Sequence, residues 1–232
     1  MSTMLVSFVC ATLCIVSDNV KKPVEQPEAS EMLSNARATR AVMENFPGFT
    51  AEIQLNVNQK QYRGTVQVDS KGVVTITDIQ GQPLVWVKKV LTSTITHRLQ
   101  PAIPRKTPCA FADGITSHPL GRLVNILNDE MHSSYRIRDN QIMEVNRKQG
   151  DGKFSIIVQE NGRNEEGKFL PTSFVVQYWA QDGSLERSEA HNQNWIRHQG
   201  LDLPKVIRVV TVTNEVDARE LQLSNFKISS IK

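Results

Sequence analysis

Apolar and polar residues alternate from Phe49 to Val57, which is the period of a strand with one buried side and one side facing solvent. Eleven later segments carry strand signals, and turn sequences such as Asn161-Gly162 and Asp182-Gly183 separate them. These further strands are predicted at 62–69, 73–79, 109–112, 121–127, 134–138, 141–147, 153–159, 169–180, 184–191, 203–213 and 219–228. The pattern therefore predicts one long antiparallel meander.

Two other segments have the helical period. The first is predicted to begin at Ser30, a suitable N-cap, and to end before Pro47. The second opens at Gln82 and Pro83, and its apolar positions are Leu84, Val87, Leu91 and Ile95. A closed barrel would leave little for these stripes to bury against. We therefore predict a mainly β, α+β fold: a strongly curved antiparallel sheet, forming an unclosed half-barrel, with the two helices packed over it as a lid.

Three regions are predicted along the chain. Residues 1–17 are an export signal, because the run from Met4 to Val16 is mostly apolar and too short to cross a bilayer. Residues 18–29 are a linker, and 30–232 are a single half-barrel domain, expected to be monomeric. The expected location is secreted or in the cell envelope, in the periplasm. A loose resemblance of Ala11-Thr12-Leu13-Cys14 to a bacterial lipobox leaves a lipid anchor at Cys14 as the alternative.

Charge and cysteine content narrow the class of protein. The 27 Lys+Arg and 24 Asp+Glu give a net charge of +3, with both signs interspersed, so nucleic acid is not an expected partner. The isoelectric point near 8.8 is compatible with weak association with an anionic membrane surface. Of the three cysteines, Cys109 alone lies in the body of the chain. No disulfide framework is predicted, and Cys109 is expected to be buried.

The sequence carries no catalytic or metal-binding motif. Its histidines lack the H-x-H or H-x-x-x-H spacing typical of metal ligands, and G-x-S-x-G is absent, so no metal, cofactor or catalytic residue is predicted. The alternative is a hydrolase-like enzyme built from dispersed residues. Convergence of His118, His191 or His198 with Glu189 or Asp129 would favour it. Glu189 and His191 share one strand face, which is equally consistent with an outer, solvated surface.

Large apolar residues fall at positions that would face inward if the sheet curves as predicted. A half-barrel covered by helices can leave a cavity there for an apolar ligand. The residues predicted to line this cavity are Phe49, Ile53, Tyr62, Val66, Trp86, Phe154, Phe174 and Tyr178. The alternative is a filled core, in which case the chain would be a protein-interaction or scaffold domain that binds through its β-edges or loops.

Several stretches of the sequence are distinctive as strings. They are ARATRA at 36–41, NFPGFTAEI at 45–53, HPLGRLVNI at 118–126, SSYRIRDNQIMEVNR at 133–147 and KFLPTSFVVQYW at 168–179. They resemble an uncharacterised bacterial family known only as a domain of unknown function, from about residue 30 to the C-terminus. The order of the elements is also similar to that of the periplasmic lipoprotein carriers of the Lol type and their acyl-binding relatives, which have an unclosed barrel and a helical lid.

The resemblance to these carriers implies a lipid or a lipid-bearing protein as the partner. It also makes Arg40 and Arg98 candidates, by element, for the carriers' lid arginine. The leading hypothesis is therefore an envelope-associated or secreted, non-enzymatic domain that binds an apolar small molecule, a lipid or a lipid-bearing partner in a concave β-sheet cavity.

Overall fold

The computed structural model describes residues 23–99 and 107–229. Within these ranges the chain forms two helices, α1 (Pro27–Ala38) and α2 (Gly81–Leu99), and one antiparallel sheet of twelve strands. The strands are β1 (Phe49–Val57), β2 (Lys60–Val68), β3 (Val74–Thr77), β4 (Cys109–Phe111), β5 (Arg122–Ile126), β6 (Ser134–Arg138), β7 (Gln141–Gln149), β8 (Gly152–Arg163), β9 (Phe169–Trp179), β10 (Leu185–His198), β11 (Leu201–Val212) and β12 (Val216–Ile228).

The strand order is β3-β2-β1-β12-β11-β10-β9-β8-β7-β6-β5-β4, so β3 and β4 are the edges of an open half-barrel. The predicted fold class is confirmed, and each predicted strand overlaps one of the observed strands. The predicted stripe of α2 is also confirmed, because Val87, Leu91 and Ile95 are fully buried. No helix in the described part of the chain is long and apolar enough to span a membrane.

The first helix is shifted from its predicted position. It begins at Pro27 rather than at Ser30, and it ends at Ala38 rather than close to Pro47. Proline suits the first turn of a helix, where its missing N–H has no intrahelical partner to lose. Ser30 does not cap the helix, because its hydroxyl oxygen accepts a hydrogen bond from the backbone N–H of Cys109 at 3.0 Å. The first turn of α1 thus lies inside the segment predicted as a linker.

One predicted turn is wrong. Asn161-Gly162 lies within β8, which pairs with β9 as far as Arg163. The turn is formed instead by Asn164, whose side-chain oxygen accepts hydrogen bonds from the backbone N–H groups of Glu166 and Lys168 at 3.1 and 2.8 Å. An asparagine side chain that bonds its own loop backbone in this way competes with continued strand pairing. β10 is also longer than predicted, because it continues to His198 rather than ending at residue 191.

Two hydrophobic cores contain most of the buried side chains. The α2 core packs the stripe of α2 against β1, β2, β3, β11 and β12. The α1 core packs Ala29, Leu33 and Ala36 against β4, β5, β6 and β7. Cys109 is fully buried in the α1 core, as predicted. Each helix therefore stabilises one end of the sheet.

Candidate functional site

The middle of the concave face lies between the two cores. One row of directly paired residues runs through Val209, His191, Phe174 and Val158. A second row runs through Thr211, Glu189, Val176, Ile156, Val145 and Tyr135. The first row starts in the α2 core and the second ends in the α1 core. Since paired residues of antiparallel strands share a face, both helices cover the same face, and β8, β9 and β10 lie between them.

Six apolar and aromatic side chains of β8 and β9 point to this face, and we call them the central strip. They are Phe154, Ile156, Val158, Phe174, Val176 and Tyr178. None of the six packs in either core formed by the described residues. Val176 is 7% exposed, and the other five are half-buried, whereas Phe49 under α2 is 0% exposed. The strip therefore presents apolar surface that neither helix covers fully.

A charged group lies beside the strip on β10. Arg187 Nε is 2.9 Å from Glu189 Oε1, and His191 Nε2 is 3.3 Å from Glu189 Oε2. His191 stacks on Phe174 with ring centroids 4.5 Å apart and 12° between the planes. The guanidinium carbon of Arg187 lies 3.8 Å from the ring centroid of Tyr178. Two aromatic rings of the strip therefore hold the two partners of Glu189 in place.

The Glu189 carboxylate is charged although it is largely enclosed. Burial alone would raise its pKa, but the hydrogen bond from His191 and the charge of Arg187 outweigh burial, so the pKa lies below its ordinary value of 4.5. The side chain is only 16% exposed. The floor of the concave face thus carries a fixed negative charge that is already paired with Arg187 and hydrogen-bonded to His191 of its own strand.

Glu189 and His191 face the concave side, so the alternative of an outer, solvated surface is wrong for this pair. Their contact is one of the convergences that favour the hydrolase-like alternative. His191 Nδ1 is buried and has no hydrogen-bond partner among the described residues, so no hydroxyl or thiol nucleophile is placed against it. His118 and Asp129 instead accept hydrogen bonds from loop N–H groups. Residues 23–99 and 107–229 contain no cluster of three metal-ligating side chains.

The eight residues predicted to line a cavity fall into two groups. The α2 core contains Phe49, Ile53 and Val66, and the half-buried Tyr62 and Trp86 pack against it. The central strip contains Phe154, Phe174 and Tyr178. The structure therefore brings three of the predicted residues together on one partly open surface. Ligand contact by any of the eight stays a prediction.

Arg40 and Arg98 join the ends of the two helices. Arg98 Nη1 donates a hydrogen bond to the carbonyl oxygen of Ala41 at 2.8 Å, and Arg40 Nη2 donates to the carbonyl oxygen of His97 at 2.9 Å. Burial lowers the pKa of Arg98 to about 9, and the charge of Arg40 lowers it as well. Both residues were selected from the sequence by element, and their equivalence to a lid arginine stays a prediction.

Two further arginines at this site were not predicted from the sequence. The guanidinium carbons of Arg37 and Arg147 each lie 5.9 Å from the ring centroid of Tyr135. Arg147 Nη2 also donates a hydrogen bond to Tyr135 Oη at 2.6 Å. Arg147 has the same strand parity as Val145, which faces the α1 core. Sequence reasoning could have identified Arg147 as a positively charged residue at an inward-facing position of β7.

Two surface clefts lie outside the strip. One, of about 420 Å³, is lined mostly by polar groups of β8, β9 and β10, among them Glu160, Ser173 and Asn192. The other, of about 330 Å³, lies between the segment after α1 and two turns, and is lined by charged residues such as Glu166 and Arg197. Neither contains a residue of the central strip, and their polar linings do not suit an apolar ligand.

Fold and site together define an open antiparallel half-barrel with a partly uncovered apolar strip and a charged group on its concave face. Residues 24–231 match the family model described as a protein of unknown function, DUF3386. The chain therefore belongs to this family, and the predicted membership in a family of unknown function is confirmed. A comparison with curated proteins finds no match.

Two solved structures are similar to the chain at low identity. A LolA superfamily protein from Nitrosomonas europaea is 14% identical, with 88% of this chain and 94% of that chain covered and a TM-score of 0.35. A DUF1329 family protein from Desulfovibrio piger is 10% identical, with 89% and 93% covered and a TM-score of 0.27.

Proposed function

We propose that this protein binds an apolar ligand, such as the acyl chain of a lipid, along the central strip. The supporting observation is that the six side chains of the strip share one face, belong to neither core, and are half-buried except for Val176. Burial of apolar surface contributes roughly 25 cal/mol per Å². An acyl chain on the strip would remove its own surface and that of the strip from water together.

The strip has a shape that suits an extended chain. Phe154, Ile156 and Val158 alternate along β8, and four residues of a strand span roughly 13 Å. Both strands are paired on each side within the sheet, so the positions of these side chains are set before a ligand arrives. Such preorganisation lowers the entropy lost on binding.

The proposed location is outside the cytoplasm, secreted or in the cell envelope. The export signal predicted at 1–17 and the alternative lipid anchor at Cys14 both lie outside the described residues. The ligand is proposed to be a free apolar molecule, a lipid, or the lipid of a lipid-bearing protein.

The alternative of an interaction domain would bind another protein through exposed strand edges or loops, and the edges can be compared with the strip. The edge strands of this sheet are β3 and β4, which are four and three residues long. Short edges offer few backbone hydrogen bonds to a partner strand. The central strip, in contrast, presents six apolar or aromatic side chains that belong to neither core, and this favours a small apolar ligand.

Two neighbouring residues of β8 provide a matched test. Ile156 pairs with Val176 of the strip, whereas Ile157 has the opposite strand parity and faces the other side of the sheet, and both are half-buried. We expect the full-length, delipidated protein to bind a neutral fluorescent apolar probe. Ile156→Asp should weaken binding at least about tenfold, because a carboxylate on the strip would be buried by the probe. Ile157→Asp should leave the affinity within about twofold.

Thermal unfolding of both variants checks that they remain folded at the assay temperature. If the wild-type protein binds no probe, or if the two variants lose affinity equally, the proposal is wrong. If the proposal holds, native mass spectrometry before and after organic extraction identifies the class of any ligand that co-purifies with the wild-type chain.

A further inference from the structure

Four arginines gather where the two helices meet the concave face, and we call them the arginine cluster. They are Arg37, Arg40, Arg98 and Arg147. Arg37 and Arg147 both lie against the ring of Tyr135, within 5.9 Å of its centroid. The positive charges of Arg37 and Arg147 also act on Arg40, whose pKa is lowered first by burial and then by these neighbours. Arg40 in turn lowers the pKa of Arg98.

Within residues 23–99 and 107–229, every side-chain hydrogen bond that these four arginines donate goes to a neutral acceptor. Arg37 donates to Thr107 Oγ1 at 2.9 Å and Arg147 donates to Tyr135 Oη at 2.6 Å. Arg40 and Arg98 donate to backbone carbonyl oxygens, as described above. Arg147 Nε is buried without a hydrogen-bond partner among the described residues. Arg147 Nε is thus a donor in the cluster that no acceptor of the described residues uses.

No carboxylate of residues 23–99 or 107–229 lies within ion-pair distance of the cluster. The carboxylate that acts electrostatically on Arg98 is Asp202, and Asp202 is paired with Arg197 at 2.9 Å. The remaining segments of the chain contain Asp18 as their only acidic side chain. The outer face differs, because Arg208 of β11 is paired there with Glu220. Arg63, Arg122 and Arg163 also have no carboxylate partner among the described residues. The cluster differs from them because its guanidinium groups lie close enough to one another to interact.

The cluster is continuous with the central strip. Arg147 is paired directly with Phe154 across β7 and β8, so their side chains are neighbours on the concave face. Arg40 pairs with Phe169 at the start of β9, the strand that carries Phe174 and Tyr178. A molecule lying on the strip beside Phe154 therefore has Arg147 of the cluster as its neighbour.

We propose that the arginine cluster binds the oxyanion headgroup, a carboxylate or a phosphate, of an amphiphile whose acyl chain lies along the central strip. Guanidinium groups donate planar pairs of hydrogen bonds that match these oxyanions, and the partly buried setting strengthens them. A bound oxyanion would also balance the mutual repulsion of four enclosed cations. The inference rests on the proposed function, because the acyl chain on the strip sets where the headgroup lies.

The test compares ligands that differ only in the headgroup. Dodecanoate, dodecyl phosphate and dodecanol compete with a neutral fluorescent apolar probe on the full-length, delipidated protein at about 0.15 M salt. We expect the two anionic ligands to bind about 10- to 100-fold more tightly than the alcohol, as for hydrogen bonds to charged groups. Inorganic phosphate without a chain should displace no probe.

The variants Arg40→Gln and Arg147→Gln should each reduce the preference for the anionic ligands about tenfold, with little effect on dodecanol. Arg63→Gln is the control with the same change in net charge, because Arg63 is exposed on β2 and has the opposite strand parity to Tyr62. Two separate variants keep the test decisive if one of them fails to fold, as judged by thermal unfolding.

The outcomes separate this inference from the proposed function. If dodecanol binds as tightly as dodecanoate and dodecyl phosphate, the inference is wrong and the proposed function stands. If no twelve-carbon ligand displaces the probe and the probe itself does not bind, the proposed function fails. If inorganic phosphate alone stabilises the protein in an Arg40-dependent way while the chain length of the amphiphile has no effect, the cluster binds a free anion, and the inference is overturned.

Discussion

Arg98 of α2 donates a hydrogen bond to the carbonyl oxygen of Ala41, 2.8 Å away in the segment that follows α1. A backbone hydrogen bond joins the same two segments, because the N–H of Met43 donates to the carbonyl oxygen of Arg98 at 2.7 Å. Arg98 is 5% exposed, and its guanidinium carbon lies 5.2 Å from the ring centroid of Trp195 on β10. One buried cation thus connects both helical segments and the sheet.

Removal of this connection should destabilise the fold. We expect Arg98→Ala to lower the free energy of unfolding by about 1–3 kcal/mol, because the buried carbonyl oxygen of Ala41 would lose a charged donor. Arg63→Ala, at an exposed position of β2, should change it by less than about 0.5 kcal/mol. Urea unfolding of both variants measures the difference. Equal stability of the two variants would show that burial of the Arg98 charge cancels the contact.

Two phenylalanines on the concave face should respond differently to truncation. Phe49→Ala should cost about 3–5 kcal/mol of stability, because Phe49 is 0% exposed in the α2 core. Phe174→Ala should cost less than about half as much, because Phe174 is half-buried on the central strip, and it should also weaken binding of the apolar probe. Urea unfolding and probe titration test both effects. A loss of stability as large as that of Phe49→Ala would mean that the strip is part of a filled core.

The charge of Glu189 should make stability depend on pH in the acidic range. The pKa of Glu189 in the folded protein lies below its ordinary value of 4.5, so its contribution is complete above that pH and is lost as the pH falls through the folded-state value. Glu189→Gln lacks this contribution at every pH. The stability difference between wild type and variant should therefore shrink from about pH 6 to about pH 3. A difference that stays constant across this range would show that the carboxylate is not held ionised by His191 and Arg187.

Substitution of Gly48 in the stretch NFPGFTA should lower stability more than substitution of a glycine that has free space around its Cα. Its φ is +92°, and a methyl group there would come 2.4 Å from the carbonyl oxygen of Val68. Gly183 has a similar φ of +87°, but a methyl group there would meet nothing within 4 Å. Gly183→Ala should therefore cost about 1 kcal/mol from backbone strain, and Gly48→Ala at least about 1 kcal/mol more. Thermal unfolding compares them, and equal losses would exclude the clash with β2.

Local periodicity was enough to predict the elements of this fold. The alternation from Phe49 to Val57 depends on neighbours two positions apart, and the stripe through Val87, Leu91 and Ile95 depends on positions within one helix. Both signals lie within a short stretch of chain. The errors were equally local: Ser30 has the composition of a cap but bonds to β4, and Asn161-Gly162 has the composition of a turn but continues β8.

The candidate site was predicted only in part. Alternation placed Phe154, Phe174 and Phe49 on inward positions. It could not show that Phe49 lies in a core under α2 whereas Phe154 and Phe174 lie between the helices, because the strand pattern is the same in both places. It could not decide whether Glu189 and His191 face the concave side, since the two faces of a strand are interchangeable until its register with neighbouring strands is fixed.

The sequence by itself determined the twelve strands, the stripe of α2 and the open α+β class, because these depend on spacing within single elements. Only the tertiary structure decided that α1 and α2 cover opposite ends of one face and leave the central strip between them. It also brought Arg37, Arg98 and Arg147 together from two helices and a strand. Such contacts join residues far apart in the chain, and no local pattern of hydrophobicity or charge specifies which of them will meet.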